Sequence, residues 1–183
     1  MNIHLCCADI YLENYLNLDI VGRVIKQGEN NPNLTNLENY YKDREIGKKR
    51  EIIIDKKMNI LKFPWKFKDN SIDNIVMICA LEHFTPNEAK KITDEIYRIL
   101  KPNGKAMIDI PNVKEQIELY YDSDPEWCME LIFCNQKNIY SMHHWGYTKK
   151  TLKKLLGEDK YEFEFGSIVK HSYPVIGVTA IKK

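Results

Sequence analysis

The stretch Ile-Asp-Asn-Ile-Val-Met-Ile-Cys-Ala, residues 72–80, constrains the fold most. It is too short for a buried helix and too continuously apolar for a strand with one wet face, so it reads as a strand covered on both sides. Residues 85–110 complete a unit with it. Thr85-Pro86-Asn87-Glu88 is a capping box, with Thr85 as N-cap, Pro86 at the first helical position and Glu88 reaching back. Ala89, Ile92, Ile96 and Ile99 then recur at three- and four-residue spacing and give a helix one apolar face. Asp94 and Arg98 are placed to pair across one turn on its outer side. Pro102-Asn103-Gly104 stops the helix and returns the chain to a strand over residues 104–110. Such a strand–helix–strand unit crosses over right-handed and makes a parallel sheet.

The remaining segments extend this plan. Residues 2–8, 15–21 and 51–54 read as further short strands. Residues 26–50 carry no strand signal, and Thr35 and Glu38 cap a short helix with Leu34, Leu37 and Tyr41 inward. Residues 113–134 are helical with a break at Pro125, and residues 148–157 form a basic helix with Leu152, Leu155 and Leu156 on one side. Then the period changes: Tyr161, Phe163 and Phe165 alternate with Glu162 and Glu164, and residues 174–181 give an antiparallel partner. The expectation is one α/β domain, residues 1–183, with a three-layer α/β/α sheet that is mostly parallel and ends in an antiparallel C-terminal hairpin. Residues 3–7 and 73–79 should be adjacent, parallel, central strands.

Composition narrows the function classes. With 27 basic against 26 acidic residues, the chain has no broad electrostatic surface for nucleic acid. No apolar run approaches the roughly 20 residues of a membrane span, and the N-terminus lacks the cationic start and long apolar core of a secretory signal. Five cysteines, an odd number, suit a reducing compartment, and a cytoplasmic location is expected. Oligomeric state is not legible.

Four groups of residues could carry chemistry. Leu5-Cys6-Cys7-Ala8-Asp9 joins two strand-like runs, the second ending at Asp19. In nucleotide-binding α/β sheets the first loop approaches the ligand through bare backbone, and an acid at the second strand's end accepts ribose hydroxyls. Glu82-His83 lies just beyond the buried strand, at the edge where open α/β sheets bind ligands. Met142-His143-His144-Trp145-Gly146-Tyr147-Thr148 reads either as a substrate wall or as a hydrophobic plug with solvated histidines. Cys128, Cys134, His143 and His144 fit none of the common two-plus-two zinc spacings, so no metal is expected and the cysteines read as packing residues. No Gly-x-Gly-x-x-Gly is present, which disfavours a nicotinamide dehydrogenase.

Taken in order, these motifs resemble class I S-adenosylmethionine-dependent methyltransferases, in particular the small type 11-like group. The resemblance rests on Leu5-Cys6-Cys7-Ala8, Asn17-Leu18-Asp19-Ile20, Phe63-Pro64 before Asp69-Asn70-Ser71-Ile72-Asp73, Leu81-Glu82-His83 and Leu100-Lys101-Pro102-Asn103-Gly104. It spans residues 3–112 and implies a seven-stranded sheet, S-adenosylmethionine as cofactor and methyl transfer to a small-molecule or saccharide acceptor. By the same resemblance Leu5, Cys6, Cys7 and Ala8 line the methionine end and Asp19 and Ile20 hold the ribose side. Asn59 and Ile60 flank the adenine, while Ala80, Leu81 and His83 pass near the methyl group. His143, His144, Trp145 and Tyr147 bind the acceptor, with His143, His144 or His83 as base where the acceptor carries a proton. Two loop positions depart from the family pattern, Cys6 and Ala8 standing where it has glycine. The expectation is a loop that tolerates them, with φ negative at Cys6 and the thiol toward the core. The alternative is a non-catalytic methyltransferase-like binding or scaffold protein.

Overall fold

The computed structural model describes residues 1–42 and 50–183. Its centre is a seven-stranded sheet. In chain order the strands are β1 (Asn2–Leu5), β3 (Leu16–Asp19), β7 (Lys56–Lys57), β8 (Ile72–Ile78), β9 (Leu100–Pro111), β10 (Tyr161–Phe165) and β11 (Val175–Lys182). Two-residue strands β2 (Tyr11–Leu12), β4 (Arg23–Val24), β5 (Leu34–Thr35) and β6 (Ile53–Ile54) form two small parallel pairs, β2 with β5 and β4 with β6. Across the large sheet the order is β10-β11-β9-β8-β1-β3-β7. β1 lies between β3 and β8, parallel to both, as expected. β11 runs antiparallel to β9 and to β10, which is the expected C-terminal hairpin.

The capping box forms as expected. Thr85 Oγ1 accepts from the Glu88 N–H, the Glu88 carboxylate accepts from the Thr85 N–H, and α1 runs Pro86–Ile99. Ala89, Ile92, Ile96 and Ile99 are all fully buried. The outer ion pairs differ from expectation: Asp94 pairs with Lys90 and Lys160, while Arg98 turns back to Glu95 and Asp69. Arg98 also donates to the Trp65 and Phe67 carbonyls, so the loop before β8 draws it away from Asp94. Gly104 sits where a Cβ would stand 2.8 Å from the Lys101 carbonyl, so no larger residue fits the turn into β9.

Along β8 the side chains alternate between two cores. Ile75 and Met77 face one that includes Ile92 and Ile96 of α1 and Leu152 and Leu156 of α4 (Lys149–Leu156). Val76 and Ile78 face the other, with Ile10, Leu12, Tyr40 and Val169. That second face is covered by irregular chain rather than by a helix among the described residues. Thr35 and Glu38 begin no helix: Leu34–Thr35 is strand β5, and the Thr35 hydroxyl donates to the Asn39 carbonyl in a local turn. Residues 43–49 of the stretch expected to lack strands lie outside the described residues. Residues 51–54 do not join the large sheet either; Ile53–Ile54 pairs with Arg23–Val24, and Lys56–Lys57 takes the sheet edge. α2 (Val113–Tyr120) and α3 (Pro125–Phe133) are separated at Pro125, as expected.

Candidate functional site

At the carboxyl ends of β1 and β8 the chain leaves a cavity of about 290 Å³. The turn after β1 contributes Cys6, Cys7 and Ala8, and the turn after β8 contributes Cys79, Glu82 and His83. Trp127 and Leu131 of α3 and Cys134 just after it close the cavity, and Tyr40, Tyr41, His143 and Tyr173 complete the wall. A neighbouring recess of about 240 Å³ shares Glu82 and His143 and adds His144, Trp145 and Tyr147. The two spaces therefore share a wall of Glu82, Pro111 and His143.

The backbone around the cavity is unusual. Cys6 (φ 53°), Ala8 (φ 47°), Cys79 (φ 46°) and Cys134 (φ 58°) are all left-handed, and all four line it. Each such residue costs on the order of 1–2 kcal/mol against a right-handed conformation. This corrects the expectation at Cys6: φ is positive there, as at a family glycine, although the side chain does pack against the core. Burial and the nearby Asp19 carboxylate push the Cys6 thiol far up, so it stays protonated.

Asp19 is nearly buried and ties β3 to the first turn. One carboxylate oxygen accepts the Ala8 N–H at 3.0 Å and the other the Val21 N–H at 3.1 Å. The Met58 N–H donates to the Asp19 carbonyl at 2.8 Å, which sets the 58–61 segment beside Ile20. Ile20 and Leu61 are each 37 % exposed. Asn59 turns its side-chain oxygen onto the Leu61 N–H, and Ile60 is buried, its carbonyl accepting the Trp65 indole N–H. Leu5, Ala80 and Leu81 are core residues that do not reach the cavity.

Glu82 is the residue that sequence reasoning undervalued. Its carbonyl accepts the N–H groups of His144 and Trp145, which pins the 142–147 segment over the sheet. Its side chain is buried, with Oε1 3.9 Å from His143 Nε2 and Oε2 without a hydrogen-bond partner. Burial raises its pKa to about 8. His83 donates Nδ1–H to the Met142 carbonyl at 3.0 Å, and His143 donates Nδ1–H to the Ile132 carbonyl at 3.1 Å. In the neutral form of each ring the lone pair is then on Nε2. Burial lowers the His83 pKa to about 4, with the nearby His143 a smaller cause, and burial also lowers that of His143. The two rings meet edge to face, 4.7 Å between centroids. The substrate-wall segment is thus divided: His143 is half-buried at the shared wall, His144 and Trp145 are exposed on the recess, and Tyr147 is buried beneath it. The signal for Glu82 was its place after an all-apolar strand; that its head group would be buried was not visible.

Comparison with known proteins bears on the same region. A family model described as a methyltransferase domain matches residues 5–108. No protein among those with curated descriptions matches the sequence. Among solved structures, a Pyrococcus horikoshii OT3 protein aligns over 100 % of this chain and 81 % of its own, with 17 % identity and TM-score 0.56. An S-adenosylmethionine-dependent methyltransferase from Methanosarcina mazei aligns over 98 % of this chain and 89 % of its own, with 18 % identity and TM-score 0.55. Human N-acetylserotonin methyltransferase, solved with S-adenosylmethionine, aligns over 99 % of this chain and 47 % of its own, with 12 % identity and TM-score 0.55. At these identities the likeness is one of fold.

Proposed function

The chain belongs to the methyltransferase-domain family, and we propose that it moves a methyl group from S-adenosylmethionine to a small acceptor, a metabolite or a saccharide, seated against the cavity at the ends of β1 and β8. The observation that carries this reading is the backbone of the first turn. Cys6 and Ala8 hold, at a conformational cost, the left-handed geometry that the family meets with glycine. A turn with no ligand to approach has no need of that path.

The other residues suit such a donor. Each Asp19 oxygen accepts one backbone N–H and keeps a lone pair for a ribose hydroxyl. Ile20 and Leu61 offer exposed apolar side chains for the base, and the 6–8 turn lines the cavity proposed for the amino-acid end. The donor supplies an electrophilic sulfonium methyl group. The chain then has to align, enclose and accept a proton. His143, its Nδ1–H held by the Ile132 carbonyl and its Nε2 toward the cavity wall near Glu82, is placed for the last task. His144 and Trp145, exposed on the recess, are suited to hold the acceptor. The size of the cavity and recess favours a small acceptor over a macromolecule.

Calorimetric titration of S-adenosylhomocysteine tests this. One saturable site per chain is expected. Asp19→Ala should weaken it at least about 10-fold for each charged hydrogen bond lost. Asp19→Asn, which keeps an acceptor and can still hold the Ala8 N–H, should weaken it less. Absence of binding by the wild-type chain would leave the non-catalytic scaffold reading in its place.

A further inference from the structure

We propose that His83, Cys134 and His143 form a site for one divalent transition-metal ion of the zinc kind, on the wall shared by the cavity and the recess. The three come from separate parts of the chain: the turn after β8, the end of α3, and the segment before α4. One ring nitrogen of each histidine and the Cys134 sulfur all lie within 4.8 Å of one another. A tetrahedral zinc centre, with Zn–N of about 2.0–2.1 Å and Zn–S of about 2.3 Å, needs its ligand atoms roughly 3.3–3.8 Å apart, so small side-chain rotations close the gap.

The surroundings point the same way. Each histidine engages Nδ1–H with a backbone carbonyl, Met142 for His83 and Ile132 for His143. That is the outer-shell arrangement that fixes a metal-binding imidazole and leaves Nε2 as the ligand. Cys134 occupies φ 58°, ψ −177°, a region nearly closed to residues other than glycine, and the fold still places a thiol there.

Glu82 is the independent observation. Its head group, only 2 % exposed, lies beside His143, and Oε2 has no hydrogen-bond partner. A buried carboxyl group without a hydrogen-bond partner is costly in either protonation state, and a divalent ion at the neighbouring ligands, or a water on that ion, supplies one. Glu82 then serves as hydrogen-bond partner to a water on the ion. Imidazole and thiolate together select zinc-like ions over magnesium or calcium. The sequence reading expects no metal, and of the four residues weighed there two stay out of the group: Cys128 is buried with its thiol directed at the Gln116 carbonyl and His144 is exposed, while His83 joins Cys134 and His143.

The inference stands apart from methyl transfer, since the ligands are present whatever donor the chain binds. Where both hold, His143 is a ligand and is not available as the acceptor's base. The full-length chain, stripped with chelator and dialysed, is titrated with Co²⁺ by absorbance and with Zn²⁺ against a chromophoric chelator. Expected are one ion per chain and a near-ultraviolet thiolate-to-cobalt band. Cys134→Ser should abolish the band, and His83→Ala should weaken Zn²⁺ binding more than about 100-fold, beyond the 10–100-fold typical of an outer-shell loss. Cys128→Ser should change neither, and circular dichroism identifies variants that remain folded. A wild-type chain that binds no ion, or a cobalt band that survives Cys134→Ser, overturns the proposal. S-adenosylhomocysteine titrated into the same samples separates the two readings: a metal without the nucleoside defeats methyl transfer alone, and the nucleoside without a metal defeats this site alone.

Discussion

The two faces of the central sheet are covered by different means. One face carries α1 and α4, and its contacts are aliphatic: Ile75 and Met77 of β8 against Ile92, Ile96, Leu152 and Leu156. The other carries short strands and turns from residues 10–12 and 37–41, and at β1 it buries His4 instead of an aliphatic residue. Irregular chain over a sheet leaves backbone groups to be satisfied by side chains. Asn17 is the hub that does so. Its side-chain oxygen accepts the Leu12 N–H at 2.8 Å and His4 Nδ1–H at 3.1 Å. Its amide donates to the Leu12 and Tyr15 carbonyls and to Asp55. Tyr11 donates to the other Asp55 oxygen, and Tyr40 donates to His4 Nε2 at 2.9 Å. A helical cover satisfies its own backbone and needs only a stripe of apolar residues. A coil cover needs a partner for each buried polar atom, and tolerates less change.

The largest expected effect breaks that contrast or confirms it. Asn17→Leu, close in volume, should cost about 4 kcal/mol in urea unfolding, because the Leu12 backbone and His4 are left unpaired in the core at about 1–3 kcal/mol each. Ile96→Ala on the helical face should cost about 3 kcal/mol, but Ile96→Leu less than about 1.5. If Asn17→Leu is as mild as Ile96→Leu, the coil cover does not depend on its polar hub.

A pH series sharpens the comparison. His4 is fully buried, and burial lowers its pKa from 6.5 to about 4, with the Asn17 hydrogen bond opposing the shift. Between those values the unfolded chain binds a proton that the folded chain refuses, so stability is present above 6.5 and falls as pH drops. From pH 7 to pH 5 this residue should remove about 2 kcal/mol. The measurement is the difference in unfolding free energy between wild type and His4→Gln at the two pH values. A wild type that loses no more than the variant would show His4 charged or solvated in the native state.

The smallest effect concerns the first turn. Cys6→Gly with Ala8→Gly relieves two left-handed residues at roughly 1–2 kcal/mol each but frees the unfolded chain and removes the Cys6 packing. A net gain of up to about 1 kcal/mol in stability is expected, with S-adenosylhomocysteine affinity changed less than about 5-fold, since the backbone already follows the required path. A large gain in affinity would mean that the Cys6 and Ala8 side chains obstruct the ligand.

The unit from residue 72 to residue 110, the Thr85 cap, the break at Pro125 and the C-terminal hairpin are written in local periodicity, capping and turn chemistry, and so could be read without the fold. Asp19 and His83 were also legible, as polar residues at the ends of apolar strands. How the second face is closed depends on long-range packing, since Asn17 draws partners from residues 4, 12, 15 and 55 and no window of sequence contains that set. The left-handed backbone that residues 6 and 8 take while bearing a Cβ depends on it too, because the surrounding strands impose the path against local preference. The same holds for His83, Cys134 and His143. They are brought together by the end of α3 and by the two N–H groups that Glu82 holds, the latter contacts between residues just over 60 positions apart, which depend on packing and on burial of a carboxyl group, neither of which has a local signature.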